Sequence, residues 1–180
     1  QNVTKVMYRM EVIDAKGKPT GEPKPDPHLP LRSGDLRRQI LSFPFDMTWM
    51  ATSGNAFAAE ALRKILPIPA DDFPIMADFY LSHLTPLFGS VIFLPEVGAY
   101  YRLHGANNFA RTTQGVDLTQ IRGYILYAQK TCLYIQQLAE ELKLEKKLDI
   151  HAELYSVSID SKRLTSLKLD PDRHPIQGDS

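Results

Sequence analysis

The stretch Thr52–Arg111, TSGNAFAAEALRKILPIPADDFPIMADFYLSHLTPLFGSVIFLPEVGAYYRLHGANNFAR, decides how the chain is read. Three polar clusters stand in it between well-formed apolar segments: Thr52-Ser53-Gly54-Asn55, the Asp71/Asp72/Asp78 group, and Arg102 through Asn108. Apolar segments build scaffold, and polar residues at their ends build sites. A compact helix is predicted over Ala58–Leu66, stopped by Pro67 and Pro69, and another from about Ala77 to Leu87, ended at Gly89. Val91–Leu94 and Ala99–Leu103 read as two strands joined by a Pro95-Glu96 turn.

Upstream, Val3–Ile13 has the β-branched and aromatic content of a strand, with Val6, Tyr8, Met10 and Val12 on the buried face and Lys5, Arg9 and Glu11 opposite. Asp14-Ala15-Lys16-Gly17 ends it as a turn. Five prolines between Pro19 and Pro30 then hold an extended segment that is neither helix nor central strand. Ser33 is placed to cap a short helix, Asp35–Leu41, with Leu36, Ile40 and Leu41 inward. Downstream, Leu118, Ile121, Ile125, Ala128, Cys132, Ile135, Ala139 and Leu142 recur every three or four residues, one apolar stripe on a long helix. A second helical pattern runs from about Lys147 to Leu167, with Leu148, Leu154, Tyr155, Ile159 and Leu164 inward, and a polar tail follows Asp170 that is expected to fray. The stripe is read as core between two packed helices or as a docking face for a partner. The organisation is therefore α/β over residues 1–115, a helical hairpin over 116–169 and a tail over 170–180.

Composition bounds the function. With 180 residues and 43% hydrophobic content the chain is long enough for a real core. Lys+Arg and Asp+Glu balance at 21 each, so no net field recruits nucleic acid or an anionic membrane. The single Cys132 excludes an internal disulfide and a cysteine-based zinc site. No apolar run approaches the roughly 20 residues that span a bilayer, and the expected location is cytoplasmic or membrane-peripheral. The chain begins at Gln1, the start expected of an excised piece.

TSGNAF with a short helix, then ILPIP, MADFYL, LFGSV and YRLHGANN, taken in order, resembles the C-terminal, acceptor-side half of a family 2 glycosyltransferase. EVIDAKGKPTGE resembles the segment that follows that family's Asp-x-Asp motif, so the likeness covers roughly Val3–Arg111. The resemblance implies a partial GT-A fold and an inverting transfer from a nucleotide-sugar donor to a sugar or lipid acceptor. It also implies a divalent metal, Mn or Mg, in a full-length parent. The nucleotide-binding half with its Asp-x-Asp is not in this sequence, so the chain is expected to hold neither metal nor nucleotide sugar by itself. Two further departures are Ala77-Asp78, where many relatives carry Glu-Asp, and Ala58-Ala59, where many carry an arginine pair.

On this resemblance Asp78 is the catalytic base, a carboxylate at a helix start where exposed N–H groups hold an anion. The bland alternative is a first-turn residue that only stabilises its helix. Ser53, Gly54 and Asn55 lie beside the substrate or form a capped turn. Trp49 stacks on a sugar or belongs to the core. Arg102, His104 and Asn107 contact diphosphate or acceptor, with His104 also a candidate metal ligand; otherwise they are structural. Asn107, Asn108 and Arg111 sit in a loop suited to a lid or to an ordinary surface. Asp71 and Asp72 form a solvated loop unless one replaces the missing Glu, and His28, His83, His151 and His174 are read as structural or surface residues. The competing function is a non-catalytic binding or oligomerisation module. For either, an unpaired edge on the Val3–Ile13 strand is expected to drive a homodimer.

Overall fold

The computed structural model describes residues 2–47, 50–105, 107, 115–144 and 157–179. Expectations for Trp49, Asn108, Arg111, Leu148, His151, Leu154 and Tyr155 lie outside the described residues. The molecule is mixed α/β, a four-stranded mixed sheet with helices packed against it.

Strand β1, Val3–Ile13, is the centre of the sheet. On one side its two halves take different antiparallel partners. Lys5, Val6 and Met7 stand opposite β3, Asn55–Phe57, and Met10 to Ile13 opposite β2, Pro19–Lys24. On the other side β4, Ser90–Arg102, runs parallel along its whole length. The β1–β2 turn is closed as its sequence predicts. Asp14 Oδ1 accepts from the N–H groups of Lys16 and Lys18, both at 2.8 Å, and Gly17 takes a φ of 85° that suits glycine.

Three expectations about these strands are corrected. The expected Pro95-Glu96 turn is absorbed within β4, where Leu94 faces Tyr8 and Val97 faces Arg9, so the extra residues bulge out of one continuous strand. Burial along β1 does not alternate every two residues. Met7 and Met10, three residues apart, are both buried (1% and 0% exposed), and Lys5 is fully buried while Val6 and Tyr8 are half-exposed. The face assignment therefore fails between Lys5 and Tyr8 and holds at Met10 and Val12. Nor is β1 an open edge. Among the described residues the edges of the sheet are β2, β3 and β4, and Ile92, Leu94, Val97 and Tyr100 on β4 are exposed.

Helix α1 is Arg37–Ile40, with Leu36, Ile40 and Leu41 buried as expected. Ser33 does not cap it; its hydroxyl accepts from the Phe93 N–H at 2.8 Å and so ties this segment to β4. Helix α2, Ala59–Ile65, and helix α3, Ala77–Leu84, follow, the latter running into a 3-10 turn at Thr85–Phe88. Helix α4, Leu118–Glu141, carries the predicted stripe, with Asp117 capping its start through the Gln120 N–H at 3.0 Å. Ile135, Leu138 and Ala139 enter the main core beside Met7, Met10 and Leu84, whereas Ile125, Ala128 and Cys132 form a second core with Ile159 and Ile176. Among the described residues no helix is long and apolar enough to cross a membrane.

Helix α5, Val157–Leu169, buries Ile159 and Ser166, seven residues apart and on one face. Leu164 lies off that face and is 67% exposed, against the expectation that it points inward. The tail is not frayed either. Ile176 is 5% exposed, Arg122 pairs with Asp170 at 2.7 Å, and Asp179 binds the Arg163 guanidinium and accepts from His174 Nε2 at 2.9 Å. The Arg163 hydrogen bond, and after it His174, holds the Asp179 carboxyl below its ordinary value. A depressed folded-state value means this stability is present above the unfolded Asp value of about 3.9 and lost as pH falls through the folded one. Asp179→Asn is therefore expected to cost about 1–3 kcal/mol near neutral pH, a difference that shrinks as pH falls through the lowered Asp179 value. Thermal melts of both proteins across that range check it.

Candidate functional site

Helix α3 opens abruptly. Pro74 precedes it, and Met76 stands before its first residue in the left-handed region at φ 62°, ψ 39°. For a side chain other than glycine that conformation costs about 1–2 kcal/mol, and such strain persists where surrounding structure imposes it. It places Ala77 and Asp78 on the first turn, with Asp78 in the wall of a cleft of about 220 Å³.

Five parts of the chain build that cleft: Lys24 from β2, Met50 and Ala51 before the Thr52 turn, Met76 with Asp78, Phe79 and His83 at and along α3, Tyr101 from β4, and Tyr124 from α4. Asp78 is its carboxylate. Burial pushes its carboxyl above the ordinary Asp value, while the N–H groups of Asp78 and Phe79 and the charge of Lys5 pull it back. His83 is fully buried, with its ring Nδ1 2.6 Å from the Phe79 carbonyl oxygen, so Nδ1 carries the proton and donates. Burial presses it down to about 3, which keeps the imidazole neutral at any ordinary pH. Tyr124 is pushed up by burial and then by Asp78, and stays a hydroxyl. In its wall the Lys24 ammonium lies 3.8 Å from the Tyr101 ring centroid. A second cleft of about 300 Å³ shares Lys24, Met50 and Ala51 with the first and continues past Val12, Pro25 and Leu29.

The remaining sequence candidates fall elsewhere. Ser53 is exposed; its hydroxyl donates to Met10 Sδ at 3.3 Å and its carbonyl accepts from Tyr8. Gly54 is buried against Met50 and Met10, where a Cβ would stand 2.9 Å from Met50 Cε. Asn55 Nδ2 donates to the carbonyls of Ala51 at 2.8 Å and Met50 at 3.2 Å, closing the turn that carries Met50 and Ala51 into the cleft. Arg102 donates to the Ala15 carbonyl at 3.1 Å, on the β1–β2 turn. His104 is exposed beyond the end of β4, and Asn107 bridges the loop by accepting from the His104 N–H and donating to the Arg102 carbonyl, each at 2.9 Å. None of these six lines the Asp78 cleft. Asp72 is held by Lys130 and by the Tyr134 hydroxyl at 2.7 Å, which fixes its loop to α4, and Asp71 is exposed.

Among the described residues no three His, Cys, Asp or Glu side chains converge as a metal cage. Lys24, Tyr101 and Tyr124 were not legible as site residues in the sequence. Lys24 and Tyr101 had a usable signal, a cation inside the proline segment and the aromatic of YRLHG.

No family model matches the chain, and no solved structure matches it. Over 129 residues the chain is 35% identical to a protein of Nostoc sp. (strain PCC 7120) named an uncharacterized glycosyltransferase. The match takes in 66% of this chain and 39% of that relative, so the chain spans well under half of the relative's length. By this similarity the chain is related to a glycosyltransferase.

Proposed function

We propose that the chain is the acceptor-side half of a family 2 inverting glycosyltransferase of GT-A fold. The parent moves a sugar from a nucleotide-sugar donor to the hydroxyl of a sugar or lipid acceptor. One observation carries this reading: Asp78, at the motif position of the family's base, stands on a helix start inside an aromatic-walled cleft. The Asp78 carboxylate takes the proton of the acceptor hydroxyl as that oxygen bonds to the anomeric carbon. The bond from that carbon to the donor diphosphate breaks with its electron pair leaving on the diphosphate, so the anomeric configuration inverts. Tyr101 and Tyr124 offer faces to a sugar ring, and Lys24 offers a cation to the diphosphate. The divalent metal expected from the resemblance would take its ligands from outside the described residues. The test is release of nucleoside diphosphate from a panel of nucleotide sugars by the longest protein that carries this chain. Release that depends on Asp78 supports the reading, and release indifferent to Asp78→Asn overturns it.

A second reading, a non-catalytic module that forms a homodimer, is favoured by the exposed Ile92, Leu94, Val97 and Tyr100 on β4. Sedimentation separates the two. Self-association abolished by Tyr100→Lys, in a protein that turns over no nucleotide sugar, is its expected result, and a monomer at high concentration overturns it.

A further inference from the structure

The Asp78 cleft does not end at its own walls. At about 220 Å³ it falls short of the roughly 300–1,000 Å³ of a small-molecule site, and the second cleft of about 300 Å³ adjoins it through Lys24, Met50 and Ala51. That second lobe is built differently. Val12, Pro23, Pro25 and Leu29 wall it, and among the described residues that line it only Lys24 and Asp26 have polar side chains. Asp26 is turned back on its own loop, its Oδ1 accepting from the His28 N–H at 2.9 Å. Lys24 sends its ammonium onto the ring of Tyr101, which lines the Asp78 cleft and not the second lobe. Prolines have no N–H to donate, and the Leu29 N–H is taken by the Asp26 carbonyl at 3.0 Å. Arg9 Nη1 donates to the Pro25 carbonyl at 3.3 Å and ties this wall to β1. The shared floor is fixed as well. Asn55 holds the carbonyls of Met50 and Ala51, and Gly54 leaves Met50 Cε the space that a Cβ would take.

We propose that the acceptor is amphiphilic: its hydroxyl-bearing sugar lies at Asp78, and an apolar group attached to that sugar runs over Met50 and Ala51 into the second lobe. This rests on Asp78 being the base. The chemistry of the lobe selects the occupant. A nucleobase or a second sugar placed there would give up hydrogen bonds to water and find few replacements, at a cost in affinity. An alkyl or aryl group gives up none, and each methylene it buries tightens binding about fourfold. Leu29 is 45% exposed, so the lobe is a trough and not a closed cavity. A group longer than the trough continues into solvent, and tightening stops there. The arrangement also gives the Thr52–Asn55 motif its place in the site. Asn55 and Gly54 shape the floor on which sugar and apolar group meet, and thereby set the angle between the two lobes.

The test is binding of methyl, butyl, hexyl and octyl β-D-glucopyranoside to this chain, below their micelle-forming concentrations. The methyl NMR signals of Met76 report the Asp78 cleft, those of Leu29 the second lobe, and that of Met50 both. Kd is expected to fall at least about tenfold from the methyl to the hexyl glycoside, with the Leu29 signals moved by the octyl glycoside and not by the methyl one. A single Kd across the series, no binding at all, or tightening with Leu29 unmoved overturns the proposal. Leu29→Asp puts a charge into the lobe at an exposed position and is expected to abolish the gain with chain length. A gain kept in Leu29→Asp and lost in Tyr100→Lys puts the alkyl chain on the exposed β4 face and overturns the proposal. Should Leu29→Asp not fold, the signals of the unaltered chain decide. The two readings fail separately. Sugar transfer lost in Asp78→Asn with no dependence on chain length removes the apolar subsite and leaves the base. Chain-length dependence at Leu29 with transfer intact in Asp78→Asn sinks the base, and the acceptor role of the lobe with it.

Discussion

Asp78→Asn is expected to lower sugar transfer by about 10²- to 10⁴-fold without lowering the melting temperature at neutral pH. The first half follows from chemistry: an amide keeps the shape and hydrogen bonds of the helix start and takes no proton. The second half follows from the sign of the Asp78 shift. Its carboxyl is raised in the folded state, burial being the largest cause. A raised value means the folded protein favours the neutral form, a preference fully expressed below the unfolded Asp value and lost as pH rises through the folded one. At neutral pH the ionised Asp78 is thus a net burden on the fold, and a neutral amide lifts it. A residue that only stabilises its helix behaves oppositely, losing roughly 0.3–1 kcal/mol with turnover intact. Measuring melting temperature and transfer rate on one preparation separates these forecasts. Normal transfer sinks the catalytic assignment at any melting temperature.

How far the sequence carries this picture depends on the kind of order involved. The α4 stripe was legible because a 3.6-residue period repeats over many turns, and five of its predicted residues, from Ile125 to Ala139, are buried. The Val3–Ile13 strand and the Asp14–Gly17 turn were legible because both are local. Lys5 was hidden by the same rule that found its strand. Alternation counted back from Met10 and Val12 puts Lys5 outside, whereas the folded chain buries it completely. The tail misled through composition, since a polar segment is indistinguishable from a frayed one until Arg163 and Arg122 arrive from distant turns of helix to pair with it. The site divides likewise. Asp78 was found through its motif and helix start, but the aromatic walls and Lys24 meet it only after five parts of the chain are brought together.

The largest expected loss of stability falls on Ile135→Ala. Ile135 is fully buried on α4, in the core that also holds Met7 and Met10 of β1 and Leu84 of α3. Truncating a buried Ile to Ala removes transfer energy and leaves a cavity, together about 2–5 kcal/mol. At this chain length each kcal/mol lowers the melting temperature by roughly 2–4 °C. The location of the loss carries as much information as its size. One turn before Ile135 the same stripe enters the second core, where Cys132 meets Ile159 of α5 and Ile176 of the tail. Helix α4 therefore lies in both cores, and a cavity at Ile135 should weaken sheet and helical pair together. Circular dichroism, reporting mainly helix, and the tyrosine signal, with Tyr101 on the sheet side, should fall in one transition at one midpoint. A hairpin that folded independently of the sheet would give two midpoints, with one unmoved by the substitution. In that event the cleft wall contributed by Tyr124 would also come free of Asp78, because α4 is what carries it there.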